Sequence, residues 1–363
     1  MMKEQIKLIL KLINSYHHEA YVVGGFVRDY LLSKETYDID ITTSASKEEL
    51  LNILSPYHPY VINKHFDTVT VNLDEYQIEI TPYRIDGHYL NHRHPSSIQR
   101  TSSLMDDLSR RDFTINAILM DVNENIIDPL NGYADLKDRI IRAIGDPLKR
   151  FEEDALRILR AIRFKARLGF EIEDQTKKAI YLKKELLKDI SMFRKQAEII
   201  KTVRYDKRVI DEYHDIFDDI IRLDVSINLM CDNETLLWAL MLNRNKEDID
   251  KLLISKKELN NIRKLFKYTD SNDYVEAFSE FDDPQLFIDY MYHLKGIDLK
   301  ELYISSKDYI VNRNNLDISA HDLMALGYHD VEIGRIQKRL IEDIRKCRLK
   351  NKKEDIIAYL HML

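Results

Sequence analysis

The sequence predicts an α+β chain, with a mixed α/β front of about 145 residues and an all-helical remainder. Three observations carry this. Six of the nine glycines fall by Gly169 and six of the seven prolines by Pro147, whereas only Pro284 interrupts the stretch from Gly169 to Gly296. Glycine and proline punctuate turns, and strand-rich folds need many turns. The front also alternates apolar and polar residues with period two, while beyond Gly145 apolar residues recur at helical spacing, as in Ala155, Leu156, Leu159, Ile162 and Phe164.

Taken in order, the apolar residues Ile6, Leu8, Ile9, Leu10, Leu12 and Ile13 are broken by charge and predict an amphipathic helix, not a signal peptide. Tyr21-Val22-Val23 is a short strand ending at Gly24-Gly25. Asp38–Thr43 alternates, as do Thr68–Leu73 and Tyr76–Thr81, and Asp74-Glu75 between the last two suits a hairpin turn. A further strand is expected from Ile115 to Met120. The last stretch turns basic, with Arg335, Lys338, Arg339, Arg345, Lys346, Arg348, Lys350, Lys352 and Lys353.

Composition sets exclusions. The 363 residues allow two or more domains. Lys plus Arg number 55 against 62 Asp plus Glu, a net charge of −7, which excludes a globally basic nucleic-acid coat but permits a local basic groove. Cys231 and Cys347 cannot build a disulfide framework or a Cys-rich zinc module, and they fit a reducing cytoplasm. No apolar run reaches the roughly 18 residues of a membrane span.

Three clusters carry chemistry. In the first, Gly24-Gly25-Phe26-Val27-Arg28-Asp29 links a strand to a helix, where glycines let backbone N–H groups approach a phosphate and Arg28 adds a charged fork. Asp38-Ile39-Asp40 follows. Two carboxylates on one strand face, about 7 Å apart, can share Mg²⁺, which takes oxygen ligands and substrate phosphates. Taken alone, such a pair is more often a solvated strand edge. Asp248-Ile249-Asp250 is the internal control, the same tripeptide without a Gly-Gly upstream. Glu79 shares a strand face with Gln77 and Thr81 and is the candidate third carboxylate, to hold a second ion or take a proton.

The second cluster is Arg110-Arg111-Asp112-Phe113-Thr114-Ile115-Asn116-Ala117, in which paired arginines beside an aspartate suit a triphosphate and a ribose hydroxyl. On its own an ordinary salt bridge is the better reading. The third places Asp154, Arg157, Arg160 and Arg163 every third residue, an oblique polar ridge on a helix whose buried stripe is Leu156, Leu159 and Ile162. A solvated basic face is the common use of that pattern. The sharper reading is base recognition. Aspartate accepts hydrogen bonds and arginine donates them, so an Asp154–Arg157 pair matches the amino donor and ring-nitrogen acceptor of cytosine and adenine and mismatches uracil and guanine.

Together, in this order and spacing over roughly residues 20–170, these motifs resemble the class II tRNA nucleotidyltransferases, the CCA-adding enzymes of the polymerase-β-like nucleotidyltransferase superfamily. Weaker similarity runs on through Ile318–Gly327 and Gly334. The resemblance implies a catalytic head (1–145), a nucleotide-recognition neck (146–195), a helical body (196–300) and a helical tRNA-binding tail (301–363). It implies Mg²⁺ on Asp38 and Asp40, with Glu79 as the third carboxylate. It implies phosphate and nucleotide contacts from Gly25, Arg28 and Arg111, and base contacts from Asp154, Arg157, Arg160 and Arg163. The implied partners are CTP, ATP and the acceptor arm of tRNA, with no membrane, in a monomer or homodimer.

Rival readings are CC-only or A-only addition, a bacterial poly(A) polymerase, and an RNA-binding protein with an inactive head. Ala155-Leu156 stands where the poly(A) enzymes usually have Pro-Val, and Arg84–Pro95 matches the flexible loop that CC-adding versions typically lack. The dipeptides His214-Asp215 and His321-Asp322 have no further His/Asp cluster to make a phosphohydrolase.

Overall fold

The amphipathic start of the chain forms helix α1 (Glu4–Ser15), which buries Ile6, Ile9, Leu10 and Ile13. The computed structural model describes residues 2–61, 67–87, 89–90, 94–95 and 97–362, with backbone alone at 89–90 and 94–95. The chain divides into two units, Met1–Ile216 and Phe217–Leu363. The expected head and neck segments therefore lie together in the first unit.

The first unit is built on a seven-stranded sheet. Its strands are β1 (Ala20–Val23), β2 (Ile39–Thr43), β3 (Tyr60–Val61), β4 (Val69–Leu73), β5 (Tyr76–Pro82), β6 (Leu119–Met120) and β7 (Ile126–Ile127), in the order β7-β6-β1-β2-β5-β4-β3. Helix α2 (Gly25–Leu31) leaves β1 directly and packs on β1 and β2. Strands β4 and β5 form the expected hairpin, closed by the pair Leu73 and Tyr76, with Asp74 in the left-handed region at φ 53°. Strands β2 and β5 run parallel and set Ile39 opposite Ile78, Asp40 opposite Glu79 and Ile41 opposite Ile80. The isoleucines are buried, so period-two alternation puts Asp40 and Glu79 together on the other face.

One expected strand is mostly absent. Residues Thr114–Asn116 form a 3₁₀ turn and only Leu119–Met120 pair into the sheet, against Val22 and Val23. The reason is local: Thr114, Asn116 and the preceding Asp112 turn their polar groups into side-chain bonds that an extended run would break.

Around the sheet the unit is mostly helical, and the all-helical expectation beyond Gly145 is corrected at Glu171–Ile172, which pairs in parallel with Ile140–Ile141. Helix α3 (Lys47–Ile53) and helix α4 (Leu104–Ser109) are capped by Ser46 and Ser103. Helix α5 (Gly132–Asp138) packs on the Thr114–Asn116 turn. Beyond it come α6 (Pro147–Glu153), α7 (Leu156–Leu168), α8 (Asp174–Lys183) and α9 (Met192–Asp206), with α7 packed on α9 and α6 on α8. Helix α7 is buried nearly all round, including Arg157, Arg163 and Lys165.

Among its described residues the second unit has no strand. Its helix Glu234–Met241 packs against Lys256–Tyr268 and Gln285–Lys295 around Trp238. A separate core gathers Leu323, Leu340, Ile344 and Ile356. Among the described residues no helix is long and apolar enough to cross a membrane.

Gly132 is placed by contact: a Cβ there would lie 2.1 Å from the Thr114 carbonyl oxygen. We expect Gly132→Ala to lower stability by about 1–3 kcal/mol, seen as an earlier urea midpoint by circular dichroism. An unchanged midpoint would mean that α5 moves aside at no cost.

Candidate active site

The turn after β1 comes closest to a carboxylate. Gly24 has φ 80°, and a Cβ on it would sit 3.6 Å from Asp40 Oδ2 and 3.8 Å from Arg111 Nη1. A side chain there would be strained by the positive φ, while its Cβ would only touch the two groups at ordinary van der Waals distance. One turn on, Arg28 is buried. Its Nε donates to Asp29 at 2.8 Å, its Nη1 donates to Asn116 at 2.6 Å, and its guanidinium lies 5.2 Å from the Phe164 ring centre. Burial pulls the Arg28 pKa down while Asp29 opposes that shift.

Asp40 opens onto the cleft but is hemmed in by protein on most sides. That crowding raises its pKa, Arg111 opposes the rise, and the nearby charges of Glu79 and Asp38 add to it. Asp38 precedes β2 and is exposed; Glu79 is half-buried. Among the described residues no three acidic or imidazole groups close into a metal cage. Asp40, with the Asp38 and Glu79 carboxylates nearby, is nevertheless an oxygen donor set of the kind that a hard divalent cation takes. Such an ion commonly completes its shell with water and substrate phosphate.

The second cluster lies beside them. Asp112 accepts from its neighbour's N–H on Phe113 at 2.8 Å, from Asn116 Nδ2 at 3.0 Å, and from Arg160 Nε and Nη2 at 2.9 and 2.5 Å. Burial would raise its pKa, but Arg160 and these hydrogen bonds outweigh it and push the carboxyl down to about 2. Arg111 donates through Nη2 to Asp107 at 3.0 Å, and its buried Nε has no hydrogen-bond partner.

The base-reading series is corrected at its first member. Asp154 does not lie on the helix with the arginines; it is the extended residue (φ −134°, ψ 101°) between α6 and α7. Its Oδ1 accepts the Leu156 N–H at 3.1 Å, which stops one helix and starts the next. Arg194, on α9, donates through Nη2 to Asp154 Oδ2 at 3.1 Å. Arg157 is held by Glu153 at 2.8 Å and by the carbonyls of Arg150 and Arg110, each at 2.9 Å. Arg163 pairs with Glu198 at 2.5 Å and stacks 4.5 Å from the Phe164 centre. The stripe of Leu156, Leu159 and Ile162 is buried.

All of this converges on one cleft of about 380 Å³, lined by Gly24, Gly25, Arg28, Asp40, Arg111 and Asp112 from the sheet side. From the helical side come Asp154, Arg157, Arg160, Arg163, Phe164 and Arg167. Asp38 and Glu79 are not in the lining; they reach it through Asp40. A larger hollow of about 1040 Å³ lies in the second unit, where acidic and basic side chains are mixed, Asp273, Glu276 and Glu280 against Lys264, Lys338 and Arg345. It gathers none of the motif residues, so size alone is a poor guide here.

Sequence reasoning missed Arg167, four residues beyond Arg163, which donates to Asp29 at 2.7 Å. Helical spacing could have found it. Arg194, forty residues from its partner, had no local signal. The control tripeptide behaves as one: Asp248 is held by Arg222 and Lys251. Of the Arg84–Pro95 loop, Arg84–Asp86 pairs with Ile98–Arg100, while His88 and 91–93 lie outside the described residues.

Comparison with known proteins shows the family. Residues 20–142 match the poly A polymerase head domain, and residues 169–210 match the probable RNA and SrmB-binding site of polymerase A. A CCA-adding enzyme of Lactococcus lactis is 34% identical over 98% of this chain and 96% of its own. The chain belongs to the CCA-adding enzyme family. Another member, from Lactobacillus helveticus, is 37% identical over 72% of this chain and 70% of its own. The crystal structure of the Bacillus stearothermophilus CCA-adding enzyme in complex with CTP superposes with a TM-score of 0.81 at 25% identity, covering 99% of this chain and 98% of that one.

The Asp112 network has a pH signature. A depressed carboxyl contributes stability above its unfolded pKa and loses it as pH falls through the folded value. We expect Asp112→Asn to cost about 2 kcal/mol near pH 7. The gap should narrow as pH drops from about 5 toward 3, read by urea unfolding of both proteins at each pH. A gap that does not change with pH would rule out the charged network.

Proposed function

We propose that this chain builds the 3′-terminal CCA of tRNA from CTP, CTP and ATP, releasing pyrophosphate and using no nucleic-acid template. One observation carries the reading: a phosphate-binding set (Gly25, Arg28, Arg111), a carboxylate suited to a metal (Asp40) and a base-reading set (Asp154, Arg157, Arg160, Arg163) face the same cleft.

The roles follow from the chemistry of each group. Arg28 and Arg111 bind triphosphate oxygens by charge-assisted hydrogen bonds. Asp154 accepts from the amino group of cytosine or adenine, and Arg157 donates to the adjacent ring nitrogen. Arg194 holds Asp154 in place, and Glu153 with two backbone carbonyls keeps Arg157 from turning. Asp112, bonded to Arg160 in the cleft lining, is suited to accept a hydrogen bond from a ribose hydroxyl.

Asp38 and Asp40 would hold Mg²⁺. When bound, the metal would activate the attacking hydroxyl and steady charge on the transferring phosphate. The terminal hydroxyl oxygen of the RNA bonds to the α-phosphorus, the bond to the β-phosphate oxygen breaks, and pyrophosphate leaves. Glu79, opposite Asp40 in the sheet, is the nearby base for the hydroxyl proton. The basic tail, including Arg335, Lys338 and Lys350, supports a phosphate-contacting surface for the RNA. A chain with two free cysteines fits the cytoplasm, where tRNA is matured.

The deciding assay incubates purified protein with tRNA lacking its 3′ end and each labelled nucleotide. Two cytidines followed by one adenosine are expected. A long adenosine ladder would point to poly(A) synthesis, addition stopping at CC or limited to A to a split activity, and no incorporation to binding alone. Asp40→Ala should reduce incorporation by about three orders of magnitude with unchanged folding; retained activity removes the mechanism. Asp154→Arg with Arg157→Asp should move preference from CTP and ATP toward UTP or GTP, and an unchanged preference refutes the base-reading pair.

A further inference from the structure

The arginine beside Asp40 is aimed by a carboxylate outside the cleft lining. Asp107, on α4, is 0% exposed. Its Oδ2 accepts from Arg111 Nη2 at 3.0 Å and from the Thr42 hydroxyl at 3.1 Å. Its Oδ1 accepts from Arg110 Nε at 3.0 Å and Nη2 at 2.7 Å. A carboxylate buried this deeply is tolerable only when paired and fully hydrogen-bonded. Here the two arginines outweigh burial and hold its pKa below the ordinary carboxylate range.

Thr42 supplies the second half of the argument. It stands two residues after Asp40 on β2, so both side chains leave the strand on the same face. One rigid strand therefore carries Asp40 and, through the Thr42 hydroxyl, also fixes the carboxylate that orients Arg111. Arg111 and Asp40 also share a neighbour in Gly24: a Cβ built there would lie 3.8 Å from Arg111 Nη1 and 3.6 Å from Asp40 Oδ2.

Arg28 is anchored differently, by Asp29, Asn116 and the Phe164 ring. Among the described residues Asp107 is the carboxylate that Arg111 hydrogen-bonds, and the Arg111 Nε is buried without a partner. An arginine with an unsatisfied buried donor keeps that orientation only if something else holds it; Asp107 does so, while Arg111 still lines the cleft where a phosphate oxygen can accept from its guanidinium.

We propose that Asp107 is a positioning residue for nucleotidyl transfer, fixing the Arg111 guanidinium at the phosphate end of the cleft in register with Asp40 without itself touching the nucleotide. This rests on the function proposed above. Its test is a double-mutant cycle in CTP addition to tRNA lacking its 3′ end. Asp107→Asn should raise KM for CTP about tenfold and weaken product inhibition by pyrophosphate by a similar factor. The preference for CTP over UTP should stay within about twofold, because the base-reading end is untouched. In the Arg111→Met background, Asp107→Asn should add no further loss.

Losses that multiply in the double variant overturn the proposal, as does a CTP preference that falls as far as KM rises. Should Asp107→Asn fail to fold, Thr42→Val carries the test: KM for CTP should rise about threefold, and an unchanged KM overturns the proposal. A wild-type protein that adds no nucleotide would instead refute the proposed function.

Discussion

The cleft depends on one electrostatic constraint: six arginines point into a space that could not hold them as bare charges. Arg28, Arg111, Arg157, Arg160, Arg163 and Arg167 all border it. Each is paired with a carboxylate: Asp29 for Arg28 and Arg167, Asp107 for Arg111, Glu153 for Arg157, Asp112 for Arg160 and Glu198 for Arg163. Mutual repulsion at this density would exceed anything that burial of apolar surface on α7 could offset. Replacing a whole pair by apolar groups would be nearly neutral, whereas removing one acid leaves a buried charge uncompensated. What they secure is direction, since a guanidinium held on one side by a carboxylate can present its other N–H groups only one way.

This constraint explains the architecture of the first unit. The balancing acids come from α2, α4, the turn before Thr114, α6 and α9, so the cleft can form only where sheet and helices pack together. Asp29 serves two arginines from different parts of the chain, Arg28 on α2 and Arg167 near the end of α7. The Phe164 ring works in the same way without charge. Arg28, Arg160 and Arg163 all lie within 6 Å of its centre, and its edge packs on Phe113 from the second motif. A phenylalanine counted as core from its spacing is also a wall of the cleft.

The legible part of this site was the part encoded locally. Period-two alternation located β2 and β5 and put Asp40 and Glu79 on one face, and the parallel pairing then set them opposite each other. The motifs named most of the cleft lining because each motif is one turn or one helix. The illegible part was long-range. Asp154 reads as the first member of a helical series, yet its own side chain ends that helix by bonding the Leu156 N–H, a competition that spacing does not register. Arg194, Glu198 and Asp107 take their roles from partners 40, 35 and, for the Thr42 bond, 65 residues away. The strand expected over Ile115–Met120 failed for a related reason, since its one polar residue, Asn116, is committed to Asp112 and, across the fold, to Arg28.

The same pairing resolves an apparent contradiction in composition. By its sum alone, a net charge of −7 repels polyanions. Net charge, however, governs solubility and long-range approach, while recognition depends on the field inside a cleft over distances shorter than the screening length, about 8–10 Å at physiological salt. Every arginine that the cleft requires brings an acid with it; Asp29, Asp107 and Glu198 are buried outside the lining, while the arginines line the cleft together with Asp112. Counting both therefore hides the polarity of the arrangement. The acidity of the whole chain is in part the counter-charge that lets a strongly cationic pocket exist inside a folded protein.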